Sequence, residues 1–283
     1  MTTLTPGTLK RRRRRTVTGS MWTAATVAIL VVYLFPIYWM VSASFQPGVT
    51  SANAQWFPTS PGLDGYTEAF SSGALGGLRV SIIVAIGSVL LSLLVAIPAA
   101  YALSQLRSRA VSVALLLLLL AQMIPGVVLA TSFYALFNTL GVLNTYVGLI
   151  FANATAGIPF AVILLRSFML RLDSEIVEAS TIDGLGSFGA LWRIVVPLSR
   201  NAIITAAVFT FLFSWGDLLF GLTLITQDDM YPVTVFIYSL TKSQFNTWSA
   251  AMAASLLASL PALLVVFGLQ RYVKAGITAG GSR

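Results

Sequence analysis

Long apolar runs dominate this chain, and polar residues collect between them. Six runs stand out, at roughly 22–44, 80–103, 111–134, 146–168, 202–224 and 250–271. A transmembrane helix needs about 20 mostly apolar residues, whereas a run of about 10–14 is satisfied by a buried core helix. The pattern therefore predicts an all-α integral membrane protein with six transmembrane helices. It divides the chain into an N-terminal tail (1–21), a six-span domain (22–271) and a C-terminal tail (272–283). Longer polar segments are expected near 45–79, 169–201 and 225–249. Five runs carry one proline each, Pro36, Pro98, Pro125, Pro159 and Pro261, which suits helices bent at a missing backbone donor.

Charge placement orients this plan. An even number of spans puts both termini on one side. That side then carries Lys10, Arg11 to Arg15, Arg107, Arg109, Arg166, Arg171, Arg193, Arg200, Arg271, Lys274 and Arg283, 15 of the 17 basic residues. Only Arg79 and Lys242 fall opposite. The bias of basic residues toward cytoplasmic loops predicts a multi-pass membrane protein with both termini in the cytoplasm. The run Lys10–Arg15 is a nucleic-acid signal in other settings. Here an apolar span begins within a few residues, so it reads as a membrane flank touching anionic lipid, with no nucleic-acid partner.

Composition narrows the chemistry. The chain is 57% hydrophobic and 9% charged, against about 45–50% and about 25% for soluble domains. It has no cysteine and no histidine, which removes disulfides, Cys/His zinc sites, thiol nucleophiles and any histidine base. Its three lysines, Lys10, Lys242 and Lys274, stand in no GxxxxGK[ST] phosphate loop. No catalytic residue, metal or cofactor is expected, and the chain reads as a pathway or a membrane scaffold better than as an enzyme. Of the nine carboxylates only Asp217 lies within a span. A charge there is costly and belongs at the bundle interior, as a gate or substrate contact or as a structural hydrogen-bond partner. A stand-alone secondary carrier or channel is the alternative class and a non-transporting scaffold a third, but ion-coupled carriers need several such groups.

Residues 173–200 read as helix, turn, helix. Asp173 or Ser174 can cap a first helix, with Glu175 and Glu178 near its N-terminal dipole. Asp183-Gly184 is a turn signal, reinforced by Gly186. Ser187 can cap a second helix, in which Phe188, Leu191, Trp192 and Val195 form one apolar stripe before Pro197. By periodicity alone this is an elbow projecting from the membrane or an amphipathic linker lying on it.

The residue order adds a resemblance. Glu178-Ala179-Ser180-x-x-Asp183-Gly184, with Ile194 and Pro197-Leu198 downstream, resembles the E-A-A signature of ABC importer permeases. Ser180 replaces the usual second alanine, Leu185 a common alanine, and Asn201 a frequent proline. The likeness runs from about residue 20 to the end. It includes Ala100-Tyr101-Ala102-Leu103, Gln122-Met123-Ile124-Pro125, Leu140 to Thr145 with Gly148-Leu149-Ile150, Trp215-Gly216-Asp217-Leu218-Leu219, Tyr231-Pro232-Val233 and Ala275 to Gly280. The set is similar to MalG-like permeases of carbohydrate importers. Departures are Arg79-Val80-Ser81, where Asn-Ser is frequent, and Gly216 in place of Asn; either can alter a substrate or gating contact.

The resemblance implies a type I ABC importer permease fold with a cytoplasmic coupling helix. It implies a partner ABC ATPase in two copies, a second MalF-like permease and an extracytoplasmic sugar-binding protein held by segments 45–79 and 225–249. The solute would be a sugar or oligosaccharide, with glycerol 3-phosphate or a related polyol as the alternative. Glu178, Ala179, Asp183, Gly184 and Leu185 would couple the spans to the ATPase, and Thr278 to Gly280 would touch it. Asp217, Trp215, Gln122 and Asn153, with Thr155, are the pathway candidates. Trp215 suits either stacking on a sugar face or packing in the core.

Overall fold

The computed structural model describes residues 6–50, 53–172, 184–242 and 248–281, with side chains from Trp22 to Tyr272 within those bounds, and holds no strand among them. α1 (Pro6–Ser44) and the short α2 (Asp64–Ser71) lead into α3 (Ala74–Gln105), α4 (Arg109–Gln122), α5 (Gly126–Leu140) and α6 (Tyr146–Met169). α7 (Ser187–Leu198), α8 (Arg200–Trp215), α9 (Leu219–Leu224), α10 (Val233–Lys242) and α11 (Trp248–Gly281) complete the chain. The basic run lies inside α1, and α11 continues past residue 272, so the described backbone has no break at either expected tail boundary.

Four helices are each long and apolar enough to cross a membrane: α1 from Trp22, α3, α6, and α11 as far as Tyr272. The other two expected spans need correction. The 111–134 run is two helices, α4 and α5, meeting at 92°. Pro125 has no N–H to continue α4 and disfavours helix at Ile124; it adopts extended backbone (φ −57°, ψ 131°) as the N-cap of α5. Pro36, Pro98, Pro159 and Pro261 lie within continuous helices. The 202–224 run stops as one helix at Trp215, and α9 restarts at Leu219. α8 is also bent 79° from α7, so six spans are counted only when each bent pair is one span.

α3 and α6 form the central pair. Their seam is built from Ser88, Ser92, Ala96 and Ala100 on one side and Ala152, Gly157 and Ala161 on the other, all buried. Lipid tails are as apolar as leucine, so helix association in a bilayer relies on close backbone approach and interhelical hydrogen bonds. Both occur here. The Ser88 hydroxyl donates to the Ile150 carbonyl at 3.3 Å. A Cβ on Gly157 would lie 2.7 Å from Thr210 Cγ2 and 2.9 Å from Ser92 Oγ, so glycine alone lets α3, α6 and α8 converge. α1 is different: its apolar residues from Val27 to Tyr38 are exposed, and it is secured near its C-terminal end, where Ala43, Ser44 and Gln46 are buried.

Candidate functional site

The two helix breaks face each other. A Cβ on Gly126, the first residue after the α4–α5 break, would meet Leu219 Cδ2 at 3.1 Å, the first residue of α9. Between them opens a cavity of about 370 Å³. α4 and the first break contribute Gln122 and Ile124, α6 contributes Asn153, Thr155 and Pro159, α8 contributes Phe213, and the second break contributes Asp217. Gln122, Asn153, Thr155 and Asp217, distant in sequence, thus converge on one space.

Asp217 is held by the helix it precedes. Its Oδ1 accepts from the Phe220 N–H and its Oδ2 from the Gly221 N–H, both at 3.2 Å. These are amides of the first turn of α9, which have no partner within a helix that has just begun. The Thr234 hydroxyl donates to the Asp217 carbonyl, and the Asn153 side chain interacts with the carboxylate. Asn153 is buried and also donates Nδ2–H to the Leu149 carbonyl at 3.0 Å. The cavity carries one carboxylate and no lysine or arginine among its lining residues.

Trp215 does not join this group. It is buried beside Ala85 and Val233, stacks on Phe211 at 5.4 Å, and donates Nε1–H to the Ala258 carbonyl at 3.0 Å. Its ring belongs to the contact of α8 with α11. Gly216, one of the departures noted in the sequence, ends α8 with ordinary helical dihedrals. Ser81, beside the other departure, has a structural role: its buried hydroxyl accepts the Val233 N–H at 2.9 Å, capping α10.

At the other end of α9, the turn Gly141 to Thr145 fixes its exit. Gly141 (φ 68°) closes α5 and Asn144 (φ 55°) also takes the left-handed region, which asparagine tolerates. Asn144 Oδ1 accepts the Thr226 N–H at 2.6 Å, and its own N–H donates to the Leu224 carbonyl at 3.1 Å. Thr145 caps α6 by accepting the Gly148 N–H at 3.1 Å.

In the elbow, Glu178, Ala179 and Asp183 lie outside the described residues. Gly184 takes φ +83°, a left-handed turn that glycine adopts without steric cost. Leu185 packs on α7, with its Cδ2 3.2 Å from where a Cβ on Gly189 would lie. Gly186 is the N-cap of α7 with no side-chain capping bond, so the expected cap at Ser187 does not form. The expected single stripe divides into two edges. Leu191 and Val195 are buried, whereas Phe188 is 76% exposed and Trp192 39%. Each edge has i, i+4 spacing, and the π-helical turn Leu191–Val195 widens the angle between them. Leu191 and Val195 enter a cluster with Ile97, Ala100, Leu165, Met169 and Ala202. This cluster ties α7 to α3, α6 and α8. Phe188 and Trp192 point outward as an edge-to-face pair at 6.1 Å.

The described arrangement is similar to that of known proteins. A chain of a bacterial ABC transporter involved in import of the acidic polysaccharide alginate superposes with TM-score 0.77, covering 92% of this chain and 98% of its own; at 19% identity this shows a shared fold. A probable ABC transporter permease protein of Sinorhizobium fredii is 34% identical over 94% of this chain and 96% of its own length. The diacetylchitobiose uptake system permease protein of Streptomyces coelicolor is 28% identical over 94% and 98%. The family described as binding-protein-dependent transport system inner membrane component matches residues 88–279, which hold both helix breaks, the cavity and the elbow, and the chain belongs to that family.

Proposed function

We propose that this chain is the permease subunit of an ATP-driven importer and forms, with a second MalF-like permease, the pathway for a neutral sugar or oligosaccharide. The observation that carries the reading is the cavity between two broken spans. Discontinuous helices expose backbone polar groups only where they line a cavity, and transporter binding sites are built there. The elbow attached to the same helices supplies a handle for a partner. Two ATPase subunits would close on ATP, and Glu178, Ala179, Asp183, Gly184 and Leu185 would receive that motion. An extracytoplasmic binding protein would deliver solute to the opposite face, and both termini would lie in the cytoplasm. The chain would contribute no catalysis of its own.

The cavity's charge supports a neutral solute over glycerol 3-phosphate. Asp217 repels a phosphate, and no lysine or arginine lines the cavity to offset it. The relative named for diacetylchitobiose, an uncharged disaccharide, points to the same solute class. The test is uptake into proteoliposomes containing the full complex and its binding protein, with neutral di- to pentasaccharides compared with glycerol 3-phosphate. Uptake of a neutral saccharide that requires internal ATP is expected. Uptake driven by a proton gradient without ATP would overturn the importer reading, and preference for glycerol 3-phosphate the solute class.

A further inference from the structure

A second large cavity lies farther along α4 and α6, toward the start of α4 and the end of α6. It is a cleft of about 640 Å³ between the end of α3, the loop 106–108, the start of α4 and the end of α6. Its lining divides by chemistry. Arg107 and Arg166 supply charge, and Ser104 and Ser108 are among the neutral hydrogen-bonding groups beside them. No carboxylate lines it among the described residues. The Arg166 Nε donates to the Leu103 carbonyl at 3.0 Å. That bond anchors the guanidinium to α3 and leaves its terminal nitrogens as further donors. α4 begins here with no acidic residue in its first turn, and its N-cap Ser108 makes no side-chain capping bond, so the local helix field also favours an anion.

The other wall is apolar and has a direction. Val111 and Leu115 line the cleft, and Leu119 follows at the same i, i+4 spacing along α4, 51% exposed. A groove that starts at two arginines and continues as a leucine face has the polarity of a phospholipid: phosphate at one end, acyl chain along the other. Arginines at the ends of membrane helices stand at headgroup depth.

We propose that this cleft binds the phosphate headgroup of an anionic phospholipid, with Arg107 and Arg166 as its ligands and α4 as the support for an acyl chain. The recognised chemistry is a phosphate, which a lipid or free phosphate can supply; the apolar wall assigns it to the lipid. Native mass spectrometry of the intact transporter complex in detergent reads this directly. The probes are phosphatidylglycerol, phosphatidylcholine and inorganic phosphate. Arg107 is exposed, so Arg107→Gln removes a ligand without opening the core. Arg79→Gln, exposed at the start of α3, is the control at the opposite end.

Phosphatidylglycerol retention is expected to fall about fivefold in R107Q, the factor carried by one arginine at an anionic membrane surface, and to stay unchanged in R79Q. Arg166→Lys keeps the charge but loses the fork, and should weaken retention with melting temperature measured alongside. Equal retention in wild type and R107Q overturns the proposal. So does displacement of the lipid by millimolar inorganic phosphate, which would make free phosphate the ligand. Loss of a partner subunit from R107Q with lipid retention intact would assign the cleft to a protein contact and equally overturn it.

Discussion

Asp217 shows how far one residue can be read in advance. A lone carboxylate inside an apolar run has to be satisfied, because its cost in lipid is several kcal/mol. That much is legible from composition. Its partners were not legible, since they exist only because α8 ends at Trp215 and frees the first amides of α9. With both carboxylate oxygens on the Phe220 and Gly221 amides, the side chain first of all holds α9 in place beside the cavity. Asparagine can accept one of these two amides, whereas alanine accepts neither and loses about 1 kcal/mol or more. Asp217→Ala is therefore expected to destabilise the complex by about 1 kcal/mol and to reduce uptake strongly. Asp217→Asn keeps an acceptor for only one of the two amides and should melt between wild type and the alanine variant while keeping most of its uptake. Thermal unfolding and transport measured on the same two variants separate the cap from the charge: if the asparagine variant folds normally but does not transport, the carboxylate's charge acts on solute or gate. Ser81 and Trp215 mark the limit of such reading. Their partners, Val233 and Ala258, lie far along the chain, and nothing local to either residue reports them.

Among the elements, the six apolar runs were visible because hydropathy depends on composition, yet composition carries no angle. The 92° break in the third run was nonetheless encoded locally. Met123-Ile124-Pro125-Gly126 places a residue without an N–H directly before a poor helix former, a stronger break signal than the isolated prolines of α1, α3, α6 and α11. Its consequence, the contact with Leu219, needed the fold. The divided stripe of α7 is similar: the i, i+3, i+4, i+7 pattern identified an apolar face but not which edge would be covered. The breaks make a prediction at this scale. The contact distance of 3.1 Å between a Cβ on Gly126 and Leu219 Cδ2 is tight, and valine adds two methyl groups beyond it. Gly126→Val should push the two breaks apart, cost about 1–3 kcal/mol as overpacking does, and lower uptake. Gly126→Ala should be milder, because the Leu219 side chain can give. Equal transport by glycine, alanine and valine variants would show that the breaks move independently.

Across the whole molecule, a continuous packed route joins the elbow to the cavity. Gly184 turns the chain, Leu185 leans on Gly189, and Leu191 and Val195 enter the cluster shared with α3, α6 and α8. α6 then carries Asn153 and Thr155 to the cavity, and α8 leads to Asp217. Coupling requires an element with two arrangements that both sites bias, and a helix locked into the core on one edge and free on the other can transmit a push without unfolding. Gly184 and Gly186 separate this from simple folding. Gly184 takes φ +83° and Gly186 φ −62° with ψ 168°, and a Cβ on either meets nothing within 4 Å. Valine at 186 fits its extended backbone. Valine at 184 is forced either to bear about 1–2 kcal/mol of left-handed strain or to reshape the turn. Gly184→Val is accordingly expected to assemble and reach the membrane but lose most ATP-dependent uptake, with ATP hydrolysis no longer stimulated by loaded binding protein. Gly186→Val should transport near the wild-type level. Because both substitutions add the same side chain to open space, a shared loss would point to crowding against the ATPase. Loss at 184 alone isolates the turn's conformation as what the partner's motion acts through.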